Sequence, residues 1–479
     1  METEKRIQGP GKEINLAFII SVTLVATLGG LLFGYDTAVI SGTVDSLQKF
    51  FIEPFGLSET ASNSMLGFVV SSALIGCIIG GLSGGYISMK VGRKKGLMVA
   101  AVLFLISAIG SAIPELFIRP IGQADHTFIY IFTLYRMLGG IGVGLASMLS
   151  PMYIAEMAPA EIRGRLVSWN QFAIIFGMLV VYFVNYGIAQ QGNDAWLFSS
   201  GWRWMFGSEI LPAALFLLFL FFVPESPRWL VIKNKHESAF QILTKVTNTA
   251  RALSELNEIK ASINTTSGKV LTFGFRVIVI GVLLSIFQQF VGINVVLYYA
   301  PEIFKSMGEG RDSSLLQTTI VGGINLGFTI VAISTVDKFG RKPLLIIGAL
   351  GMAISMIGLG MTFFFETMSL ISLLFMLSYT ASFAVSWGPV VWVLLSEIFP
   401  NRIRGRAMAA AVAVLWISNY IISSTFPIMD KSTWLNNLFN HAFSYWVYGI
   451  MCLLAAWFVW KLIPETKGKT LEKMETLWK

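Results

Sequence analysis

Charged side chains are scarce in this chain of 479 residues: Asp, Glu, Lys and Arg make up 13% of it, against about 25% in an average soluble domain. So few charges cannot cover a water-facing surface of this size, and the 55% of hydrophobic residues point to lipid as the main solvent. Cysteine is almost missing. The two present, Cys77 and Cys452, lie in apolar stretches far apart in sequence, which argues against a disulfide framework or a zinc cluster. No metal and no cofactor is expected. Histidine is equally rare, and His126, His236 and His441 all fall between apolar stretches. No nucleotide loop or nucleophile constellation stands outside those stretches, so an enzyme is not expected. The polar segment Met1 to Glu13 leads into an apolar stretch without a small-residue cleavage pattern, and no removable signal peptide is expected.

What the chain has instead is long apolar runs. Stretches 16–43, 64–88, 97–113, 128–153, 166–189, 204–223, 271–300, 315–336, 343–365, 369–396, 406–428 and 444–463 each fit a membrane-crossing helix of about 20 residues. The expected fold class is an all-α membrane protein of twelve transmembrane helices. The formal charge of +8 sits in short clusters between the stretches and on no continuous face, so it signals topology and not nucleic acid. With the N-terminus taken as cytoplasmic, about 28 of the 35 Lys and Arg fall on that side, which places both termini in the cytoplasm. One long loop, 224–270, carries Lys233, Lys235, Glu237, Lys245, Glu255, Glu258 and Lys260 and reads as short amphipathic helices. It divides the chain into a six-helix bundle, 1–223, a cytoplasmic linker, 224–270, and a second bundle with a short tail, 271–479.

The two bundles repeat each other. Glu156-Met-Ala-Pro-Ala-Glu-Ile-Arg163-Gly-Arg165 matches Glu397-Ile-Phe-Pro-Asn-Arg-Ile-Arg404-Gly-Arg406 at identical spacing. Gly92-Arg93-Lys94 matches Gly340-Arg341-Lys342, and Pro224-Glu225-Ser226 matches Pro464-Glu465-Thr466. Parallel repeats of this kind place a substrate site at their interface, near the bilayer midplane.

The Gly-Arg-Lys loops after stretches 2 and 8 are similar to the signature of the major facilitator superfamily. Pro224-Glu-Ser-Pro-Arg-Trp229 and Pro464-Glu-Thr-Lys-Gly468, with the paired Ile-Arg-Gly-Arg loops, look like its sugar porter branch. Within that branch, Gly34-Tyr35-Asp36-Thr-Ala-Val-Ile-Ser-Gly42, Phe287-Gln288-Gln289-Phe-Val-Gly-Ile-Asn294 and Ser386-Trp-Gly-Pro-Val-Val-Trp392 resemble bacterial D-xylose:proton symporters. The resemblance covers the whole chain. It implies alternating access with a monosaccharide and protons as partners; a monomer is expected, and the short loops without a disulfide pair fit a bacterial inner membrane. Three positions depart from the pattern: Met89 replaces the usual acidic residue of the first Gly-Arg-Lys loop, while Leu415 and Met178 stand where the closest symporters carry glutamine. Leu415 bears on the choice of sugar and Met178 on coupling. The alternatives are therefore a facilitative uniporter, or proton symport of glucose, arabinose or galactose.

Ionisable side chains inside a membrane are expensive and call for a partner or a function. Asp36, Arg136 and Glu209 all lie about 10 Å below the outer surface at 1.5 Å rise per residue, and can meet. An arginine holds a neighbouring carboxylate ionised while desolvation opposes it, so a small rearrangement can load or release a proton. Asp36 is the expected carrier; a static salt bridge joining stretches 1, 4 and 6 is the other reading. A sugar needs groups that both donate and accept, plus an aromatic face. Gln288, Gln289 and Asn294 interrupt stretch 7 over a broad face, which suggests that the helix loosens near Gly292. The resemblance adds Gln171 and Trp392, with Phe33, Tyr298, Asn325, Gly388 and Trp416 nearby; interhelical hydrogen bonds are the competing use of such amides. Pro389, beside Gly388, is a candidate flexing point. At the cytoplasmic ends, Arg93, Glu156, Arg163 and Glu225 face Arg341, Glu397, Arg404 and Glu465. The resemblance implies a latch between the bundles, and ordinary solvation or headgroup contact is the alternative.

Overall fold

Hydrocarbon offers no partner to a backbone N–H or C=O, so an apolar run of this length must close its hydrogen bonds within itself, and a helix does so. The structure, a computed structural model, describes residues 14–159, 161–263, 275–367, 370–399 and 404–465. Twelve helices among them are long and apolar enough to cross a membrane. Spans 1 to 6 are Leu16–Gly42, Glu59–Lys90, Arg93–Ala112, His126–Met157, Arg163–Ala189 and Asp194–Leu220. Spans 7 to 12 are Arg276–Ser306, Arg311–Thr335, Arg341–Phe364, Leu370–Leu395, Ala407–Asp430 and Phe443–Leu462. They follow the apolar stretches in number and order. Span 6 departs most, opening at Asp194 where the hydrophobic run suggests 204. Its start is set by polar chemistry: the Asn193 side chain accepts from the Trp196 N–H at 3.0 Å, and a wide turn through Leu197–Gly201 carries the helix past Ser199 and Ser200.

Between spans 6 and 7 lie helices Pro227–Ile232, His236–Val246 and Thr249–Ile263. Ala239, Leu243 and Val246 fall on one helical face, and Leu230, Val231, Ala239, Leu243, Ala252 and Leu256 close a small core of their own. Arg251 ties this unit to the start of span 5 through Glu161 at 2.7 Å. The side of the bundle that carries it is the linker face; the opposite side is the far face.

Spans 7 and 10 are broken where they pass the centre of the bundle. Span 7 stops at Phe290 and restarts at Ile293 around Gly292, whose φ of 95° lies in the left-handed region open to glycine. The carbonyl of Val291, freed by the break, accepts the Tyr379 hydroxyl at 2.8 Å. Span 10 stops at Val385 and restarts at Trp387. Pro389 has no N–H to offer the carbonyl four residues back, so the helix gives way at Val385–Ser386, just ahead of the Gly388-Pro389 pair.

Among the described residues, a set of polar ties between the first and last six spans lies toward the far face. Lys305 pairs with Asp45 at 3.2 Å, Arg311 with Asp194 at 2.8 Å, and Lys431 donates to Gln48 at 2.5 Å. Glu59 accepts from the Thr433 N–H at 2.7 Å and from its hydroxyl at 2.5 Å. In each of these the first six spans supply the acceptor and the last six the donor. Beneath them span 2 lies so close to span 11 that a Cβ on Gly67 would overlap the Ser424 carbonyl. The far face is closed.

At the end of span 11, Asp430 faces His441 at 3.8 Å, and the carboxylate holds the imidazole pKa above its ordinary value. Two predictions follow from this architecture. Gly67→Val forces spans 2 and 11 apart and penalises the closed far face by about 1–3 kcal/mol; thiol labelling of an introduced far-face cysteine is expected to accelerate, and an unchanged rate rejects the close contact as the determinant. The raised His441 pKa means that its contribution to stability is fully present below the unfolded value of about 6.5 and fades as pH rises through the folded value. His441→Gln should therefore lower the melting temperature at pH 5.5 and leave it unchanged at pH 8.5.

Candidate functional site

Spans 1, 5, 7, 8, 10 and 11 enclose a central cavity of about 80 Å³, room for several waters at about 10–15 Å³ each. Phe33, Gln171, Gln288, Gln289, Asn294, Tyr298, Asn325, Gly388, Trp392 and Trp416 all line it. The break in span 7 explains how residues on different helical faces reach one space: Gln288 and Gln289 come from the segment before Gly292, Asn294 and Tyr298 from the segment after. The amides form a relay. Asn294 Nδ2 donates to Gln289 Oε1 at 2.5 Å, and Gln289 Nε2 to Gln288 Oε1 at 2.5 Å. Across the cavity the Phe33 and Trp416 rings pack 5.5 Å apart. Asn325 Oδ1 and Trp416 Nε1, one acceptor and one donor, are buried without a hydrogen-bond partner, which is rare unless a ligand or water completes them.

Two polar residues of the wall escaped the sequence reading, Thr329 and Asn419. Asn419 donates to the Tyr298 hydroxyl at 3.4 Å and accepts from Ser423 at 3.0 Å. It lies one helical turn beyond Leu415, so an amide recurring on the Leu415–Trp416 face was the available signal. Leu415 and Met178 also line the cavity, and both present apolar surface.

Next to the cavity, span 4 carries Arg136 into the core. Its Nη1 donates to Asp36 Oδ1 at 2.7 Å and its Nη2 to the Asp36 main-chain carbonyl at 2.9 Å, while the guanidinium lies 5.2 Å from the Phe206 ring centroid. Asp36 and Glu209 are fully buried and Arg136 is 1% exposed. Both Glu209 oxygens and Asp36 Oδ2 accept nothing, although the two carboxyl groups interact electrostatically. Asp36 thus holds the guanidinium while the Glu209 carboxyl lies within electrostatic range of both, and a proton on either carboxyl converts it to a donor for the other. Tyr298, which lines the cavity, is within electrostatic range of Asp36 and Arg136.

At the linker face several charged residues among those described meet partners of their own set of six spans. Arg93 Nη2 meets Glu156 Oε1 at 2.8 Å, and Glu156 Oε2 accepts the Ser226 hydroxyl. Glu225 accepts the N–H groups of Arg93 at 2.9 Å and Lys94 at 3.0 Å, capping span 3 after Gly92. Glu465 does the same for Arg341 at 3.1 Å and Lys342 at 3.0 Å, capping span 9 after Gly340. A carboxylate on free first-turn N–H groups also opposes the positive end of the helix dipole. Arg163 is exposed, its Nε 3.4 Å from the Ala158 carbonyl. The side chains of Glu397 and Arg404 lie outside the described residues.

The family model for "Sugar (and other) transporter" matches residues 22–478. The chain belongs to this family. Among members of the sugar transporter family, it is 62% identical to the D-xylose-proton symporter of Escherichia coli (strain K12) over 475 residues, 97% of each chain. It is 42% identical to the glucose facilitated diffusion protein of Zymomonas mobilis, over 98% of this chain and 99% of the other. The inward-open structure of the E. coli xylose transporter XylE superposes with a TM-score of 0.88 at 60% identity, covering 96% of this chain and 100% of that one. This family member is accordingly an integral membrane protein with multiple spans, built on the major facilitator fold.

Removing one member of a buried charge cluster leaves the others uncompensated, typically at about 3–5 kcal/mol. Arg136→Met is expected to destabilise the protein by that amount in chemical unfolding, and adding Asp36→Asn with Glu209→Gln should recover most of the loss. A triple variant as unstable as the single one would mean that packing, not charge, is what Arg136 supplies.

Proposed function

We propose that this chain is a D-xylose:proton symporter working by alternating access as a monomer in a bacterial cytoplasmic membrane. Both termini and the linker 224–270 face the cytoplasm in this reading, which the distribution of Lys and Arg supports. The moving bodies are the bundles 1–223 and 271–479. The observation that carries the proposal is the adjacency of two unfinished polar systems: a cavity whose amide relay and partnerless Asn325 and Trp416 atoms suit sugar hydroxyls, and a buried cluster of two carboxyl groups and one guanidinium in which Asp36 Oδ2 and both Glu209 oxygens have no donor.

Gln171, Gln288, Gln289, Asn294 and Asn325 supply donors and acceptors to the sugar; Trp392, Trp416, Phe33 and Tyr298 supply aromatic walls; Gly388 leaves room beside the break in span 10. Asp36 is the proton carrier. When it is ionised, Arg136 holds span 1 against span 4. When it takes a proton from outside, the ion pair weakens, Arg136 turns to Glu209, and span 1 is released to move with the sugar bound. Arg93, Glu156, Arg163 and Glu225, with Arg341, Glu397, Arg404 and Glu465, are the cytoplasmic gate; the contacts of Arg93 with Glu156 and Glu225, and of the Arg341 N–H with Glu465, within their own bundles suit a state in which the linker face is parted.

Leu415 and Met178 favour a second reading, uncoupled diffusion of a monosaccharide, because each puts an apolar side chain on the cavity wall. Purified protein in proteoliposomes separates the two. Symport predicts alkalinisation of the outside medium when D-xylose is added, a smaller response to D-glucose, and loss of proton movement in Asp36→Asn while exchange of labelled sugar continues. Sugar flux with no proton movement would establish a facilitator and leave Asp36 a structural charge.

A further inference from the structure

Spans 5 and 8 touch toward the far face, where Gly322 packs against Leu179 and Tyr182. Toward the linker face a groove of about 1090 Å³ lies against them and span 1, walled by Leu24, Leu28, Phe172, Phe176, Ile330 and Ile333. It is separate from the central cavity: Phe172 and Phe176 lie about 100° and 140° around span 5 from Gln171, at 100° per residue. It also faces outward, with Leu24 52%, Phe176 40% and Ile330 49% exposed.

The groove is apolar along its length and positive at one end. Arg165 lines the end nearest the linker face, and among the described residues neither Asp nor Glu lines any part. Arg165 sits in the first turn of span 5, which opens at Arg163 with no side-chain cap from Ile162. The first-turn N–H groups and the guanidinium therefore favour an anion at the same point. From Arg165 to Phe176 the helix rises about 16 Å, close to half of the roughly 30 Å hydrocarbon core. A headgroup at Arg165 thus leaves room for a chain as deep as one leaflet.

We propose that this groove is a binding site for an anionic phospholipid of the leaflet on the linker face, with its phosphate at Arg165 and an acyl chain between spans 5 and 8. A zwitterionic lipid is disfavoured because its ammonium would share the same positive end. Span 8 belongs to the last six spans and spans 1 and 5 to the first six, so the groove exists only while these surfaces are parted. A lipid that binds only this arrangement shifts the population toward it.

The test uses the full chain in nanodiscs, with spin labels at Lys90→Cys and Ala410→Cys, exposed positions near the linker-face ends of spans 2 and 11. Native Cys77 and Cys452 are buried and stay unlabelled. Replacing part of the phosphatidylcholine with phosphatidylglycerol is expected to raise the ratio of long to short distances at least about threefold. Arg165→Gln should abolish that response, and so should Ser334→Trp, which fills the groove without changing charge. Identical distributions in the two lipids overturn the proposal. So does a full response in either variant, which would mark a general surface-charge effect, or an equal response to phosphatidylethanolamine, which would show that headgroup charge is not read.

Discussion

A guanidinium cannot give up its proton, so burying Arg136 obliges the bundle to bring it acceptors. Three spans are positioned by that demand. Span 1 offers both the Asp36 carboxylate and its main-chain carbonyl, Glu209 of span 6 adds a second carboxyl group within electrostatic range, and Phe206 covers the guanidinium from one side. The close approach this needs is built into span 4, where a Cβ on Gly139 would crowd Asp36 Oδ1 at 3.1 Å and overlap the Ser107 hydroxyl. The first six spans therefore meet around a charge whose balance one proton can change, directly beside the proposed sugar cavity.

The last six spans contribute the complementary property, irregular backbone. A helix interrupted inside a membrane is tolerated where it is buried in protein or lines a cavity, and spans 7 and 10 are interrupted at the cavity. Gly292 turns span 7 so that four polar or aromatic side chains from two helical segments converge, while Tyr379 closes the exposed carbonyl. Rigid charge on one side and jointed helices on the other are the parts that a rocking transporter needs. The two faces differ in kind as well. Toward the far face Lys305, Arg311, Lys431 and Thr433 of the last six spans donate to acceptors of the first six, whereas at the linker face Glu225 and Glu465 cap helices within their own set.

Much of this was legible in the chain. The spans follow from run length, and the repeated Gly-Arg-Lys, Ile-Arg-Gly-Arg and Pro-Glu motifs follow from matching spacing. The ten cavity residues follow from scattered amides together with family resemblance. Legibility failed where polarity was local. The start of span 6 hid behind Ser199 and Ser200. Asn419 passed unnoticed because a single amide in an apolar run has an ordinary use between helices. Pro389 marked a weak point, but the helix breaks three residues earlier, where its missing N–H is felt.

The sequence by itself determined how many helices cross the membrane, where the chain repeats, and that Asp36, Arg136 and Glu209 share a depth, because run length, spacing and helical rise are properties of one strand of residues. Only the tertiary structure decided that Arg136 donates two bonds to Asp36 and none to Glu209, that the far face is closed by Lys305, Arg311, Lys431 and Glu59, and that a groove lies beside spans 5 and 8 near Arg165. Those outcomes depend on how the two sets of six spans lean on each other. That angle is set by the balance of many contacts between distant residues, and no local pattern encodes it.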